Sequence, residues 1–124
     1  MAGLRTVIVT MSTILSDIIA TLVEGRATLS VIARLENRTD MPLRLPVLEP
    51  DLVLIGLRVG EDDEIAAAAL ELVPAARVIA LSIDGRAAYV HETHAPRAAL
   101  RDVSPAALVD AVLAPRRVEA VRRP

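Results

Sequence analysis

Hydroxyls, acids and histidines fall in a few short clusters along this chain, and each cluster implies a different chemistry. Thr10, Ser12 and Thr13 bring hydroxyls together directly after an apolar run. Hydroxyls and unpaired backbone N–H groups at a helix start can hold a phosphate or a similar anion. The same residue types serve as plain helix caps, and the segment lacks a glycine that would let backbone wrap a phosphate. Glu61, Asp62, Asp63 and Glu64 form an acidic run. Carboxylates are what a hard cation such as Mg²⁺ wants, yet acids in a first helical turn are already favoured by the helix dipole. His91 and His94 flank Glu92 at a spacing that fits one helical face. A zinc site usually takes at least three protein ligands, and the chain has no further histidine and no cysteine. No metal site and no cofactor are therefore expected. Serine, histidine and aspartate are all present, but no G-x-S-x-G motif gathers them. No catalytic residue is assigned, and the chain is not expected to be an enzyme.

Composition narrows the frame that must position these groups. A length of 124 residues fits one domain. Hydrophobic residues make up 53% and mean hydropathy is +0.47, which is ample for a packed core. Phe and Trp are absent and Tyr89 is the one tyrosine, so the core must be built from Leu, Val, Ile and Ala. Such side chains suit a parallel sheet, whose strands are buried on both faces and read as continuous aliphatic runs. The net charge of −2 argues against nucleic acid and membrane surfaces as partners of the whole domain. All 14 basic residues are arginine. Without cysteine, disulfides and thiolate chemistry are excluded. The charge-free stretch 6–16 is too short to span a bilayer, and no small-residue cleavage site of signal type follows it. A soluble, cytoplasmic domain is expected.

Periodicity supplies the elements. Residues 5–10 read as a buried strand. Ser12 or Thr13 caps a helix that ends at Gly25 and contains Asp17. Residues 29–35 read as a second strand, and Asn37-Arg38-Thr39-Asp40 as a turn. In 41–48, Pro42 suits a first helical turn and Pro46 limits the helix to a turn or two. Residues 52–57 form a third strand, and Asp62 or Asp63 opens a helix to Val73 that Pro74 stops. Residues 77–82 form a fourth strand, Asp84-Gly85 a turn, 86–92 a fourth helix and 97–100 a fifth strand. Ser104-Pro105 opens a last helix that runs to Leu113. The domain is placed at 1–113 and a basic tail, with Arg116, Arg117, Arg122 and Arg123, at 114–124. That tail reads as a frayed end, a helical extension that helps a partner dock, or a weak nucleic-acid arm. Alternating strands and helices predict an α/β, flavodoxin-like, doubly wound five-stranded parallel sheet of order 2-1-3-4-5, with helices on both faces.

Three segments carry a family resemblance. PDLVLIGLR at 50–58, PAARVIALS at 74–82 and LRDVSPAALV at 100–109 resemble, in order and spacing, segments of bacterial response-regulator receiver domains. The closest kinship is to the receivers of helix-turn-helix transcription regulators; residues 1–49 match mainly in pattern. The resemblance implies an active receiver's parts at named positions. The acidic pair that binds Mg²⁺ falls on Thr10 and Met11, the phosphoryl-accepting aspartate on Gly56, the hydroxyl on Ser82 and the lysine on Arg101. A hydroxyl and a thioether do not replace a carboxylate pair on Mg²⁺, and Gly56 has no nucleophilic atom. Arginine is not equivalent to lysine. Only Ser82 keeps the family's residue type.

The resemblance therefore implies a degenerate receiver that cannot be phosphorylated at the usual site. It would act as a protein-interaction module in bacterial signal transduction or transcriptional regulation. By analogy, a protein partner or a second copy would dock on the fourth helix, fifth strand and fifth helix, over 86–113. Tyr89, Leu100, Leu108 and Val112 are the apolar candidates there. The alternative is a flavodoxin-like domain that binds a small molecule or anion through Thr10, Ser12 and Thr13 and the space left at Gly56.

Overall fold

The computed structural model describes residues 4–10, 29–58, 61–82, 87–93, 95–100, 107 and 110–112. The expected helix from Ser12 or Thr13 to Gly25 and the basic tail lie outside these residues, and the expected last helix is described only at 107 and 110–112, which are helical. Strand β1 spans Leu4–Val9 and β2 spans Leu29–Leu35; a single 3-10 turn, Arg38–Asp40, runs into helix α1, Met41–Leu48. Strand β3, Leu52–Gly56, is followed by helix α2, Glu64–Leu72, and strand β4, Arg77–Leu81. Strands β5, Ala88–Glu92, and β6, Ala95–Leu100, complete the sheet.

β3 is apolar at every position, as are β1 from Val7 and β4 from Val78, because both faces are covered. Val7, Val9, Val53, Ile55, Val78 and Ala80 pack on one face against Met41 and Leu45 of α1 and Ala66 and Ala69 of α2. Ile8, Leu52, Leu54, Ile79 and Leu81 face the other way, with Ala88, Val90 and Val112. Strand side chains alternate between faces, so a continuous aliphatic run is what a two-sided core demands. Pro42 sits in the first turn of α1 as expected, and Pro46 lies inside this eight-residue helix. Glu49 closes the helix in the left-handed region at φ 50°. Arg5 donates to the carbonyls of Leu48, at 2.7 Å, and Glu49, at 3.3 Å, which would otherwise be unpaired.

The sheet has six strands in the order β2-β1-β3-β4-β5-β6, not five. β2, β1, β3 and β4 are parallel, in the expected order. β5 and β6 are antiparallel additions. Within the stretch expected as a fourth helix, 86–92, residues Ala88–Glu92 form β5, and the short fifth strand expected at 97–100 lies in β6, which pairs back onto β5. The local reason lies on either side of Asp84-Gly85, a dipeptide that favours hairpin turns. The Ser82 N–H donates to the Ala87 carbonyl at 2.9 Å, and the Ala87 N–H donates to the Ser82 hydroxyl at 3.0 Å. The chain is thereby turned straight back along β4. Glu92 then pairs with Ala95, so only two residues join β5 to β6. Pro96 is tolerated because β6 is an edge of the sheet.

Burial of a charge disguised β5. Its burial alternates, with Ala88, Val90 and Glu92 inward, but Glu92 breaks the apolar pattern that would have marked a strand. The glutamate is satisfied by Arg77, its cross-strand neighbour. The Arg77 Nε donates to Glu92 Oε2 at 3.0 Å, and both side chains are almost fully buried. Arg77 also donates to the carbonyls of Ala111 and Val112, at 2.6 and 3.0 Å, so one guanidinium ties β4, β5 and the last helix together. Removing one member of a buried pair leaves an uncompensated charge. Glu92→Ala is expected to lower stability by about 3–5 kcal/mol, read by chemical denaturation, whereas Glu71→Ala on the exposed side of α2 changes it little.

Candidate functional site

The parallel register assembles the site. Val9 pairs with Ile55, and Ile55 with Ala80, so the ends of β1, β3 and β4 bring Thr10, Gly56 and Ser82 to one edge of the sheet. Open α/β sheets hold their ligands at this carboxyl edge. Two further residues reach it. Arg38 comes from the 3-10 turn after β2, and Glu61 from the loop that follows β3.

Gly56 is buried at the end of β3, and its carbonyl needs a donor. It receives two. The Thr10 hydroxyl donates to it at 2.8 Å, and Arg38 Nη2 donates at 2.7 Å. Arg38 Nη2 also lies 3.2 Å from the Thr10 hydroxyl oxygen, which accepts. Thr10 meets both groups from a left-handed backbone, at φ 48°, a conformation that costs a β-branched residue energy. Its N–H still bonds the Leu35 carbonyl at 2.9 Å.

Arg38 Nη1 forms an ion pair with Glu61 Oε2. The other carboxylate oxygen of Glu61 accepts the Arg58 N–H at 2.8 Å, and the Glu61 N–H donates to the Arg58 carbonyl at 3.0 Å. Glu61 is thereby clamped in a turn with its carboxylate aimed at Arg38. The Arg38 side chain is 11% exposed, and its buried Nε has no hydrogen-bond partner among the described residues. Burial, and then repulsion from the Arg58 guanidinium, pull the Arg38 guanidinium below its ordinary value.

The residues expected to do chemistry are distributed as follows. Thr10, Gly56 and Ser82 share the sheet edge; Met11, Ser12, Thr13 and Arg101 lie outside the described residues. The Ser82 hydroxyl accepts the Ala87 N–H in the β4–β5 turn, which is a structural use of it. The acidic run divides. Asp62 caps the start of α2 by accepting the Glu64 N–H at 3.0 Å, and Asp63 is buried beneath the hairpin. Asp63 bonds His91 Nε2 at 2.8 Å and Arg97 Nη1 at 3.2 Å. His94 lies outside the described residues, and among those residues no group of three or more His, Asp or Glu is placed to hold a metal.

Of the apolar candidates for a docking face, Val112 is 4% exposed and belongs to the core, so it is not available to a partner. Leu108 lies outside the described residues. Leu100 is half-buried against the second core cluster, and half-buried Tyr89 carries the Arg97 guanidinium 4.7 Å from its ring centre. Because Ala88–Glu92 is a strand, the helix–strand–helix face expected over 86–113 does not exist in that form.

Arg38 is the residue that sequence reasoning missed. It stood in a turn by composition, and its partners are 18 residues away at Gly56 and 28 at Thr10. No local pattern marks such a contact. The φ of 48° at Thr10 generates a prediction. Thr10→Ala and Thr10→Gly both lose the hydroxyl, but only glycine is free of left-handed strain. Thr10→Gly is expected to be the more stable by about 1 kcal/mol, measured by thermal or urea unfolding.

No protein-family model matches the chain, and no curated protein sequence matches it. Among solved structures it is similar to the signal receiver domain of Mycobacterium tuberculosis NarL. The identity is 17%, over 66% of this chain and 68% of that one, with a TM-score of 0.52. Similarity at this level speaks to fold alone. The fold of this chain is receiver-like, with an antiparallel β5–β6 hairpin at the edge of its parallel sheet.

Proposed function

We propose that this chain is a receiver-like module that is not phosphorylated and works by binding another protein in bacterial signal transduction or transcriptional control. The observation that carries this reading is the state of Gly56. It holds the place that the resemblance gives to the phosphoryl acceptor, has no side chain, and has its carbonyl covered by Thr10 and Arg38. An arginine in that position supplies positive charge from the chain itself, where an active receiver would recruit Mg²⁺. Neither Thr10 nor Gly56 offers the carboxylate oxygens that Mg²⁺ requires. In this reading the module performs no catalysis and needs no cofactor.

The corrected topology supports a different candidate for the partner surface. The β5–β6 hairpin carries Tyr89 and, on its edge strand, exposed Arg97 and Ala99. An aromatic residue beside an arginine is a frequent anchor of protein interfaces. We assign the docking role to this edge, for a protein partner or a second copy. The alternative anion site draws on Thr10 as a donor, but its hydroxyl proton is committed to the Gly56 carbonyl.

Incubation with acetyl phosphate and Mg²⁺, followed by intact-mass measurement, is expected to leave the chain unmodified, as is Gly56→Asp on its own. A stoichiometric phosphoryl adduct on the natural chain would overturn the reading. For the surface, Ala99→Glu is expected to weaken self-association or partner capture by about tenfold or more while leaving the unfolding midpoint nearly unchanged, with sedimentation across a concentration series as the measurement.

A further inference from the structure

We propose that the mouth at the carboxyl edge of the sheet is an oxyanion site that the chain keeps occupied with its own Glu61 carboxylate. The inference rests on the reading that this site no longer accepts a phosphoryl group, and it adds a ligand class and a means of control. The donors are already aimed. Arg38 Nη1 and the Arg58 N–H converge on the two carboxylate oxygens of Glu61, a forked arrangement that suits any carboxylate or phosphate. The guanidinium is held rigidly from behind, since Nη2 is bonded to the Gly56 carbonyl and the Thr10 hydroxyl. Arg38 Nε is buried with no partner among the described residues, so the guanidinium is not fully satisfied by its present contacts. Arg58 adds a second positive charge close enough to depress the Arg38 guanidinium.

Glu61 is the part most easily displaced. Its side chain is 26% exposed against 11% for Arg38, and it sits in a connecting turn, whereas Arg38 is anchored on two strand ends. A tethered ligand competes at a high effective concentration, of order millimolar for a short connection. A free oxyanion, or an acidic side chain of a partner, therefore gains the site only by expelling Glu61. That is an autoinhibitory contact.

The test uses inorganic phosphate against chloride at matched ionic strength, read as the apparent Kd from a thermal-shift titration. Glu61→Gln keeps the shape of the side chain and removes its charge, and Glu61→Ala removes the group. Both are expected to bind phosphate about tenfold or more tightly than the natural chain, because the tethered competitor is gone. Arg38→Met combined with either change is expected to abolish the gain. A response in Glu61→Gln no stronger than in the natural chain would overturn the inference, as would an equal response in the Arg38→Met double variant. Substituting acetate for phosphate separates a general carboxylate site from one that prefers a tetrahedral anion. The readout is non-covalent, so its failure is separate from the appearance of a phosphoryl adduct, which bears on the proposed function alone.

Discussion

The carboxyl end of a parallel sheet presents backbone carbonyls that the ladder cannot satisfy, and the buried carbonyl of Gly56 is the one around which this edge is organised. A side chain at that position would occupy the space above the strand end. Glycine leaves it open, and the guanidinium of Arg38 enters. Once it is there its charge demands an acid, which Glu61 supplies, and its second nitrogen demands an acceptor, which Thr10 supplies. The left-handed backbone of Thr10 is tolerated because the hydroxyl it aims is bonded on both sides. Each member of the cluster is explained by the one before it.

The other buried charges have a common purpose of a different kind. Asp63, Arg77 and Glu92 are the buried charged residues among those described, and all of them hold the β5–β6 hairpin. Arg77 and Glu92 fasten β5 to β4 and to the last helix on one face of the sheet. On the opposite face Asp63, at the start of α2, receives His91 from β5 and Arg97 from β6. A short antiparallel hairpin at a sheet edge has little apolar area of its own. Polar contacts of buried charged groups on both faces specify where it docks, at the desolvation cost that buried charges carry.

A receiver-like fold does not by itself carry receiver chemistry, because function resides in side chains placed on a scaffold. Here the scaffold places a threonine, a glycine and an arginine where the resemblance would place carboxylates and a metal. The edge contains a cation of its own, the guanidinium of Arg38.

The amino-acid sequence by itself determined the parallel half of the fold. The aliphatic runs at 5–10, 52–57 and 77–82 suit strands covered on both faces, 29–35 reads as their edge neighbour, and Pro74 marks the stop after α2. It also determined that the Gly56 position has no nucleophile, because that depends on residue type alone. The hairpin was only half legible. Asp84-Gly85 marked a turn, but the buried Glu92 removed the alternation that would have identified β5, and its burial is possible only because Arg77 lies on the adjacent strand. Arg38 was not legible at all. A guanidinium that crosses from one loop to the ends of two strands obeys no local period. Its place was decided by the tertiary structure, which brought an open strand end, a hydroxyl and a carboxylate within its reach.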